Sequence, residues 1–240
     1  MQTTLSFEKL NVSGHKGFLM VPKVRTPHWL MYAPTLVDLL PNVEERWLFE
    51  QCLAAGISIT GIDVGESYGN KAGQDIYTEL YCDMVSRGFS KKVVFLGRSR
   101  GGLMALAWAI NNAGWVAGVA GIYPVYNLDS YPGIYAVAST YGMTPTQLKS
   151  ELKEYNPVDR LDTLAAHKVP LFSLCGDKDI IVPYEMNSGL VRERYIALGG
   201  KVECVMAINQ GHSMWEGYFT SHELVAFIIR VCKKETERLE

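Results

Sequence analysis

The chain has 240 residues, of which 48% are hydrophobic and 20% are charged, and its formal charge at pH 7 is −2. This length and composition predict a single soluble domain over residues 1–240 and exclude a disordered or fibrous protein. Because basic and acidic residues nearly balance, the sequence has no global electrostatic footprint for nucleic acid or an anionic membrane. We therefore expect a small-molecule substrate, with no nucleic-acid or membrane partner.

The cysteines and the N-terminus bear on the cellular compartment. Five widely spaced cysteines lie in apolar runs, which predicts buried thiols rather than a disulfide framework, and no pair has zinc-ligand spacing. Residues 1–10 lack the basic start and long apolar core of a secretory signal. A cytoplasmic protein is the default expectation, and an exported one is the alternative if a signal has been removed.

Strands and helices alternate along most of the chain. Strands are predicted at 5–12, 17–21, 28–33, 57–64, 92–96, 116–122, 171–175 and 202–208. Helices are predicted at 43–55, 74–87, 101–111, 185–198 and 218–232. The first two strands form a hairpin that turns at Ser13-Gly14, and several later strands are continuously apolar, as in a parallel sheet covered on both faces. The predicted fold class is α/β, a mostly parallel, doubly wound sheet with an antiparallel start.

An uncharged stretch at 101–128 is long enough to cross a bilayer and needs a separate explanation. Asn111, Asn112, Gly114 and Pro124 interrupt it. These residues divide the stretch into a buried helix followed by a buried strand. We therefore predict no membrane span here.

The densest chemical signal follows the fifth predicted strand. The chain there is Gly97-Arg98-Ser99-Arg100-Gly101, a Gly-x-Ser-x-Gly pentapeptide between an apolar strand and a helix of small residues. This is the setting of a nucleophile elbow, where the serine occupies a strained turn and the glycines let strand and helix approach closely. The alternative is an ordinary glycine-rich turn, because the pentapeptide alone also arises by chance.

A carboxylate that could orient a catalytic base follows the seventh predicted strand. A serine hydroxyl is an effective nucleophile only when a base takes its proton, and the base needs an orienting acid. Asp177 and Asp179 both lie just beyond the strand, where ligands bind in open α/β sheets. We favour Asp179 as the acid and Asp177 as a turn cap through its own backbone, with the opposite assignment as the alternative.

The base is expected after the acid along the chain. Of the five histidines, His212 and His222 satisfy this order. His222 falls within the last predicted helix, whereas His212 follows the last predicted strand. His212 is therefore the predicted base, and the alternative for it is a solvent-exposed loop histidine.

These motifs make the chain resemble the α/β-hydrolase family over nearly its whole length. It is most similar to compact members near dienelactone hydrolases and the catalytic domains of prolyl-oligopeptidase-like enzymes. The matching pieces are the pentapeptide, the acid loop 176–183 and Gly211-His212. The resemblance implies an α/β-hydrolase fold, with Ser99, Asp179 and His212 as nucleophile, acid and base. The sequence has no β-propeller gate, so oligopeptidase activity is not implied.

The resemblance also implies an oxyanion hole made of two backbone amides. One belongs to Arg100, the residue after the nucleophile, which opens a helix whose N-terminal partial charge favours an oxyanion. The other comes from the loop after the third strand, where many relatives have His-Gly and this chain has Ala33-Pro34-Thr35-Leu36. Pro34 has no amide hydrogen, so Thr35 is the expected donor.

Two arginines flank the serine, and two interpretations fit them. Arg98 is a candidate for binding an anionic group of the substrate through a bidentate fork. Alternatively, Arg98 or Arg100 forms an ion pair with Asp63 or Glu66, which follow a neighbouring strand. We favour the ion pair.

A connection at 123–157 is too long for a plain link between helix and strand, which predicts a small lid insertion. It contains six tyrosines, at 123, 126, 131, 135, 141 and 155. Tyr123 and Tyr126 are candidates for substrate contact, although at least half of the six are expected only to pack the lid onto the body. Trp215 follows His212 by three residues and is either a substrate platform or a plug at the pocket rim.

The predicted function is a serine hydrolase, and a carboxylesterase that cleaves a small ester is the first choice. A more specific prediction is that this ester is carbohydrate-linked or anionic. The sequence lacks a phosphate-binding Gly-x-x-x-x-Gly-Lys-Ser/Thr run and a His-Glu-x-x-His zinc motif, so no cofactor or metal is expected. One alternative is a non-hydrolytic enzyme of the same fold, such as a lyase, acyltransferase or peroxidase. The other is a ligand-binding protein with an idle triad.

Overall fold

An eight-stranded sheet runs through the computed structural model, which describes residues 7–33 and 43–234. The strands are β1 (Phe7–Val12), β2 (His15–Met20), β3 (Trp29–Ala33), β4 (Ser58–Ile62), β5 (Val93–Arg98), β6 (Val116–Ile122), β7 (Leu171–Gly176) and β8 (Val202–Ala207). Their spatial order is β1-β2-β4-β3-β5-β6-β7-β8. The β1–β2 and β2–β4 pairs are antiparallel and the other pairs are parallel. The predicted α/β-hydrolase sheet with an antiparallel start is confirmed.

Ten α-helices lie within the described residues. They are α1 (Arg46–Ala54), α2 (Lys71–Ser86), α3 (Gly101–Asn111), α4 (Ile134–Val137), α5 (Pro145–Ser150), α6 (Leu152–Tyr155), α7 (Asp162–Ala166), α8 (Ser188–Ala197), α9 (Glu216–Phe219) and α10 (His222–Lys233). The predicted helix at 218–232 is two helices, because the Ser221 side chain accepts a hydrogen bond from the Leu224 amide and starts α10 anew. Apolar periodicity continues across this break and conceals it.

Helices cover both faces of the sheet, which explains the continuously apolar strands. Along β5, Val93 and Phe95 pack in one core with α2, α3 and α8. Val94 and Leu96 pack in the second core with α1, α9 and α10. Alternate side chains therefore enter opposite cores, and every position must be apolar.

The uncharged stretch at 101–128 divides as predicted, into α3 and the strand β6. All but the last residue of α3 are buried against the sheet and its neighbours. Among the described residues, none of the helices combines the length and the apolar character that crossing a bilayer requires.

All five cysteines are free thiols, and three of them (Cys52, Cys175 and Cys232) are buried. Burial raises the pKa of Cys52 and of Cys175 to about 12. Cys82 differs from the prediction because it lies on the solvent side of α2 and is exposed.

The segment between β6 and β7 contains α4 to α7 and has an apolar cluster of its own. Leu128, Ile134, Val137 and Leu148 are buried in this cluster against Leu103 of α3. The predicted lid at 123–157 coincides with most of this segment. That it acts as a lid stays a prediction.

A buried asparagine joins the start of this segment to the chain that follows β7. Asn187 is 1% exposed, and its Oδ1 accepts hydrogen bonds from the amides of Tyr126 and Asn127 at 3.0 and 3.2 Å. Its Nδ2 donates to Ser130 Oγ and to the carbonyl oxygen of Pro183. One side chain thus satisfies two buried amides and binds two segments together.

We predict that Asn187→Ala lowers the free energy of unfolding by about 2–3 kcal/mol, because two buried amide donors lose their acceptor. Urea unfolding followed by circular dichroism measures the change. Asn11→Ala is the matched control, since Asn11 Oδ1 accepts one exposed hydrogen bond from Gly14. Equal stability of the two variants would contradict the bridging role of Asn187.

Candidate active site

Ser99 occupies a strained turn between β5 and α3. Its φ angle is +51°, in the left-handed region that residues other than glycine seldom adopt. The turn is held by backbone hydrogen bonds, from the Ser99 amide to the carbonyl oxygen of Ile122 at 3.0 Å and from the Val125 amide to the Ser99 carbonyl oxygen at 2.8 Å. The predicted elbow therefore has the backbone geometry that its motif requires.

The two glycines of the motif are needed for close backbone packing. A Cβ atom at Gly97 would lie 2.5 Å from the carbonyl oxygen of Gly101. A Cβ atom at Gly101 would lie 2.0 Å from the carbonyl oxygen of Ala33, at the end of β3. Neither neighbour is a flexible side chain, so a substitution must displace the backbone that carries Ser99.

The structure brings Ser99, His212 and Asp179 into one chain of hydrogen bonds. Ser99 Oγ lies 2.8 Å from His212 Nε2, and His212 Nδ1 lies 2.8 Å from Asp179 Oδ2. With Nδ1 donating to the carboxylate, Nε2 is the free base that faces the serine hydroxyl. This arrangement allows the histidine to take the serine proton while the carboxylate stabilises the resulting imidazolium.

Asp179, rather than Asp177, contacts the histidine. Its second carboxylate oxygen, Oδ1, accepts hydrogen bonds from the amides of Ile181 and Val182 at 3.0 and 2.8 Å, and the residue is 7% exposed. These bonds hold the carboxylate in one orientation. Asp177 instead lies by Lys178, whose Nζ is 4.0 Å from its Oδ2.

A third glycine lets the acid loop approach the histidine loop. A Cβ atom at Gly176 would lie 2.2 Å from the carbonyl oxygen of Gln210 and 2.3 Å from the Tyr218 hydroxyl. The two loops are also joined directly, since the Lys178 amide donates to the Gln210 carbonyl oxygen at 2.9 Å. Tyr218 donates its hydroxyl proton to the Gly211 carbonyl oxygen at 3.0 Å, which fixes the turn just before His212.

The ring of Tyr123 packs against the imidazole ring of His212. Its ring centroid lies 4.5 Å from that of His212, and its hydroxyl lies 3.6 Å from Met214 Sδ. Its backbone has a φ of +35°, and the residue is 4% exposed. Burial raises the pKa of Tyr123, so its hydroxyl stays neutral beside the site. Its predicted contact with substrate stays a prediction.

The structure describes one of the two residues predicted to form the oxyanion hole. Arg100 is the N-cap residue of α3, so its amide lies at the positive end of the helix dipole beside Ser99. Thr35 lies outside the described residues.

Arg98 forms a buried ion pair, but its partner is neither of the two predicted carboxylates. Its Nη1 is 2.6 Å from Oε1 of Glu45, and the two side chains are 6% and 0% exposed. The Tyr32 hydroxyl donates to the same Glu45 oxygen. Burial and the neighbouring carboxylate raise the pKa of Tyr32 well above its ordinary value, which keeps this donor protonated. The burial of Arg98 argues against its predicted contact with substrate.

Arg100, in contrast, forms one of the predicted ion pairs. Its Nε lies 2.6 Å from Oε2 of Glu66, with side chains 19% and 37% exposed. Asp63 instead accepts a hydrogen bond from the Gly65 amide at 2.8 Å. Both guanidinium groups that flank Ser99 are therefore paired with carboxylates.

The two remaining aromatic candidates lie in different surroundings. Tyr126 is 2% exposed and belongs to the core that the sheet shares with α2, α3 and α8, which argues against its predicted contact with substrate. Trp215 is 42% exposed and packs edge-on against Tyr218 with a ring separation of 5.3 Å. The choice between platform and plug for Trp215 stays a prediction.

Sequence reasoning missed Glu45 and Tyr32, although Glu45 leaves a trace in the sequence. The buried positions of α1 are Leu48, Phe49, Cys52 and Leu53, at spacings of three, four, seven and eight from Glu45. This periodicity places a carboxylate on the buried face of the helix, which calls for a buried partner. Arg98 lies on the same face of β5 as Val94 and Leu96, the face that α1 covers.

We predict that Gly101→Ala lowers the free energy of unfolding by about 1–3 kcal/mol and reduces the reactivity of Ser99, because the new methyl group displaces the elbow. Gly114→Ala is the matched control, since its Cβ atom would meet its nearest neighbour, His167 Nε2, at 3.9 Å. Thermal unfolding and the rate of labelling by a fluorophosphonate measure the two effects. If Gly101→Ala keeps the wild-type unfolding temperature and labelling rate, the close packing at Gly101 is contradicted.

Comparison with known proteins identifies relatives of this fold. The model of the prolyl oligopeptidase family, Peptidase_S9, matches residues 79–235, which is more than half of the chain. No curated protein matches the chain.

Three solved structures illustrate the likeness. Dipeptidyl peptidase 4 of Porphyromonas gingivalis has a TM-score of 0.75 at 16% identity, over 94% of this chain and 35% of that chain. A puromycin-hydrolyzing peptidase of Mycobacterium tuberculosis has a TM-score of 0.73 at 14% identity, over 94% of this chain and 40% of that chain. An esterase/lipase from an uncultured bacterium has a TM-score of 0.70 at 14% identity, over 98% of this chain and 85% of that chain.

The chain thus spans two fifths or less of these peptidases and most of the esterase/lipase. At such identities the structural likeness shows the shared α/β-hydrolase fold alone, whereas the family match also covers the segments that hold Ser99, Asp179 and His212. The chain therefore belongs to the prolyl oligopeptidase family and has the α/β-hydrolase fold.

Proposed function

We propose that the protein is a carboxylesterase that cleaves a small, uncharged ester through an acyl-enzyme. The observation that carries this proposal is the unbroken path from Ser99 Oγ through His212 to Asp179, with 2.8 Å at each step. Such a path supports nucleophilic attack by serine on an acyl carbon.

In the proposed reaction His212 Nε2 takes the Ser99 proton as Oγ forms a bond to the ester carbonyl carbon. The negative charge on the carbonyl oxygen is stabilised by the amides of Arg100 and Thr35. The alcohol then leaves with the proton from His212, and the acyl group stays on Ser99. Water gives a proton to His212 and attacks the acyl carbon, which releases the carboxylic acid and restores the serine hydroxyl.

The surroundings of Ser99 favour an uncharged substrate over an anionic one. Arg98 is paired with Glu45 and Arg100 with Glu66, so both flanking positive charges are balanced by carboxylates. A substrate anion would have to compete with these carboxylates for the guanidinium groups.

The loops that carry the acid and the base support an apolar substrate group. Ile180, Met214 and Trp215 follow Asp179 or His212 closely and are 88%, 47% and 42% exposed. Exposed apolar side chains on the two loops that carry the acid and the base suit an alkyl, short acyl or aromatic group.

The lid tyrosines give little support to a carbohydrate-linked ester. Tyr126 is buried, and Tyr141 and Tyr155 pack edge-on against each other with centroids 5.5 Å apart. Tyr141 also donates its hydroxyl proton to the Tyr68 carbonyl oxygen at 2.8 Å. These aromatic rings are engaged with protein, so a sugar face has fewer rings available for stacking.

A peptidase is the second candidate, favoured by the family match and by the peptidases among the structural neighbours. The same triad can expel an amine in place of an alcohol. Parallel assays with p-nitrophenyl acyl esters and aminoacyl p-nitroanilides separate the two functions. Hydrolysis of esters alone supports the carboxylesterase, and faster turnover of the anilides would replace it with the peptidase.

The first prediction for this function concerns the nucleophile. A fluorophosphonate probe is expected to label the native protein, and peptide mass spectrometry is expected to locate the adduct on Ser99. Ser99→Ala removes the attacking oxygen and should abolish both labelling and ester turnover while the fold is kept. Full activity in a folded Ser99→Ala sample would rule out the assignment.

The second prediction separates the two aspartates. Asp179→Asn is expected to lower kcat by about 10⁴-fold, because the amide stabilises the wrong tautomer of His212. Asp177→Asn is the matched control, two residues away in the same loop, and should keep kcat near the wild-type value. Stopped-flow or steady-state ester hydrolysis measures both variants. A large loss in Asp177→Asn with little loss in Asp179→Asn would reverse the assignment.

A further inference from the structure

Three buried polar side chains meet directly beneath the nucleophile elbow. Glu45 Oε1 accepts a hydrogen bond from Tyr32 and lies 2.6 Å from Arg98 Nη1. Tyr32 and Glu45 are fully buried, Arg98 is 5% exposed, and the Arg98 guanidinium lies 5.7 Å from the ring centre of Phe219. We call Tyr32, Glu45 and Arg98 the buried carboxylate cluster.

Stability alone is a weak explanation for this cluster. Removing a carboxylate and a guanidinium from water carries a desolvation penalty that their attraction offsets only in part. Apolar residues of similar volume often replace such a pair with no loss of stability. A role in placing particular parts of the chain is a better explanation when the partners come from distant, reactive segments.

The members of the cluster come from such segments. Arg98 is the residue immediately before Ser99 and ends β5. Tyr32 is the penultimate residue of β3, and Glu45 is the N-cap residue of α1. The carboxylate at the start of α1 therefore bonds to Tyr32 at the end of β3 and to Arg98 at the end of β5. The sequence between β3 and α1 contains Thr35, the second oxyanion donor of the proposed mechanism.

The geometry points to Glu45 as a positioning residue, which holds the elbow against the end of β3 and the start of α1 through Arg98 and Tyr32. This inference rests on the proposed serine-hydrolase chemistry at Ser99. Glu45 touches no reacting atom. It acts by fixing Arg98, and with it the adjacent Ser99 and Arg100 amide, against the end of β3, so its loss should affect the chemical step more than substrate binding.

The main test replaces the charged pair with apolar residues of similar size, Glu45→Leu together with Arg98→Met. We expect a folded protein whose kcat and fluorophosphonate labelling rate fall about 10- to 100-fold, with KM changed less than about twofold. Asp159→Leu with Arg194→Met is the matched control, since it removes the ion pair between the chain before β7 and α8. The control should keep kcat and the labelling rate.

Tyr32→Phe is the second variant, and it decides the matter if the double variant does not fold. It removes one hydrogen bond and keeps the ion pair, so we expect a smaller fall in kcat and labelling rate, about 2- to 10-fold, at unchanged KM. Wild-type kcat and labelling rates in folded variants would overturn the positioning role. So would a rise in KM alone, or an equal loss in the control.

The labelling rate keeps this inference separate from the choice of substrate. If the wild-type protein is labelled at Ser99 but cleaves no ester, the carboxylesterase proposal fails, and the variants still test Glu45 through their labelling rates. If Ser99 in the wild-type protein is not labelled at all, the hydrolase chemistry and the positioning role are both overturned.

Discussion

The site depends on the approach of two backbones at Gly101. Helix α3 starts so close to the end of β3 that a single Cβ atom at Gly101 would overlap the Ala33 carbonyl oxygen, at 2.0 Å. That contact forces the chain between β5 and α3 into a tight turn and leaves Ser99 with a φ of +51°. Strain of this kind persists only where the surroundings over-determine it. Here the surroundings are the hydrogen bonds to Ile122 and Val125 and the buried carboxylate cluster below.

The parallel sheet then brings distant residues together. Ser99 follows β5, Asp179 follows β7 and His212 follows β8, so all three lie beyond the same edge of the sheet. Strand order alone does not yield contacts of 2.8 Å. Gly176 and the hydrogen bond from the Lys178 amide to Gln210 close the gap between the acid and histidine loops. Strand pairing thus brings the three residues to the same end of the sheet, and the contacts between the loops bring their side chains to hydrogen-bonding distance.

Much of this architecture could be predicted from sequence because its signals are local. The helix at 101–111 and the strand at 116–122 have the predicted bounds, since Gly101 and Asn112 mark helix ends and β6 is uniformly apolar. The strand-to-helix setting of Gly97 and Gly101 likewise predicted the elbow. The fold and the family follow from these segments.

The contacts that depend on three-dimensional pairing were harder to predict. Either Arg98 or Arg100 was expected to pair with Asp63 or Glu66. Arg100 does pair with Glu66, but Arg98 pairs with Glu45, at the start of the helix that covers its face of β5. Tyr126 was a candidate for substrate contact, but it is buried in the core that the sheet shares with α2, α3 and α8. Pattern and spacing define the face of an element, whereas the partner on that face depends on helix packing.

The hydrogen bonds of Asn187 restrict how the long insertion between β6 and β7 can move. Because Asn187 binds the amides of Tyr126 and Asn127 and the hydroxyl of Ser130, the root of the long insertion is fastened to the chain just past the acid loop. A swing of the whole insertion would pull on the chain that orients Asp179. Only the part of the insertion beyond Ser130 can therefore move without straining the chain that orients Asp179.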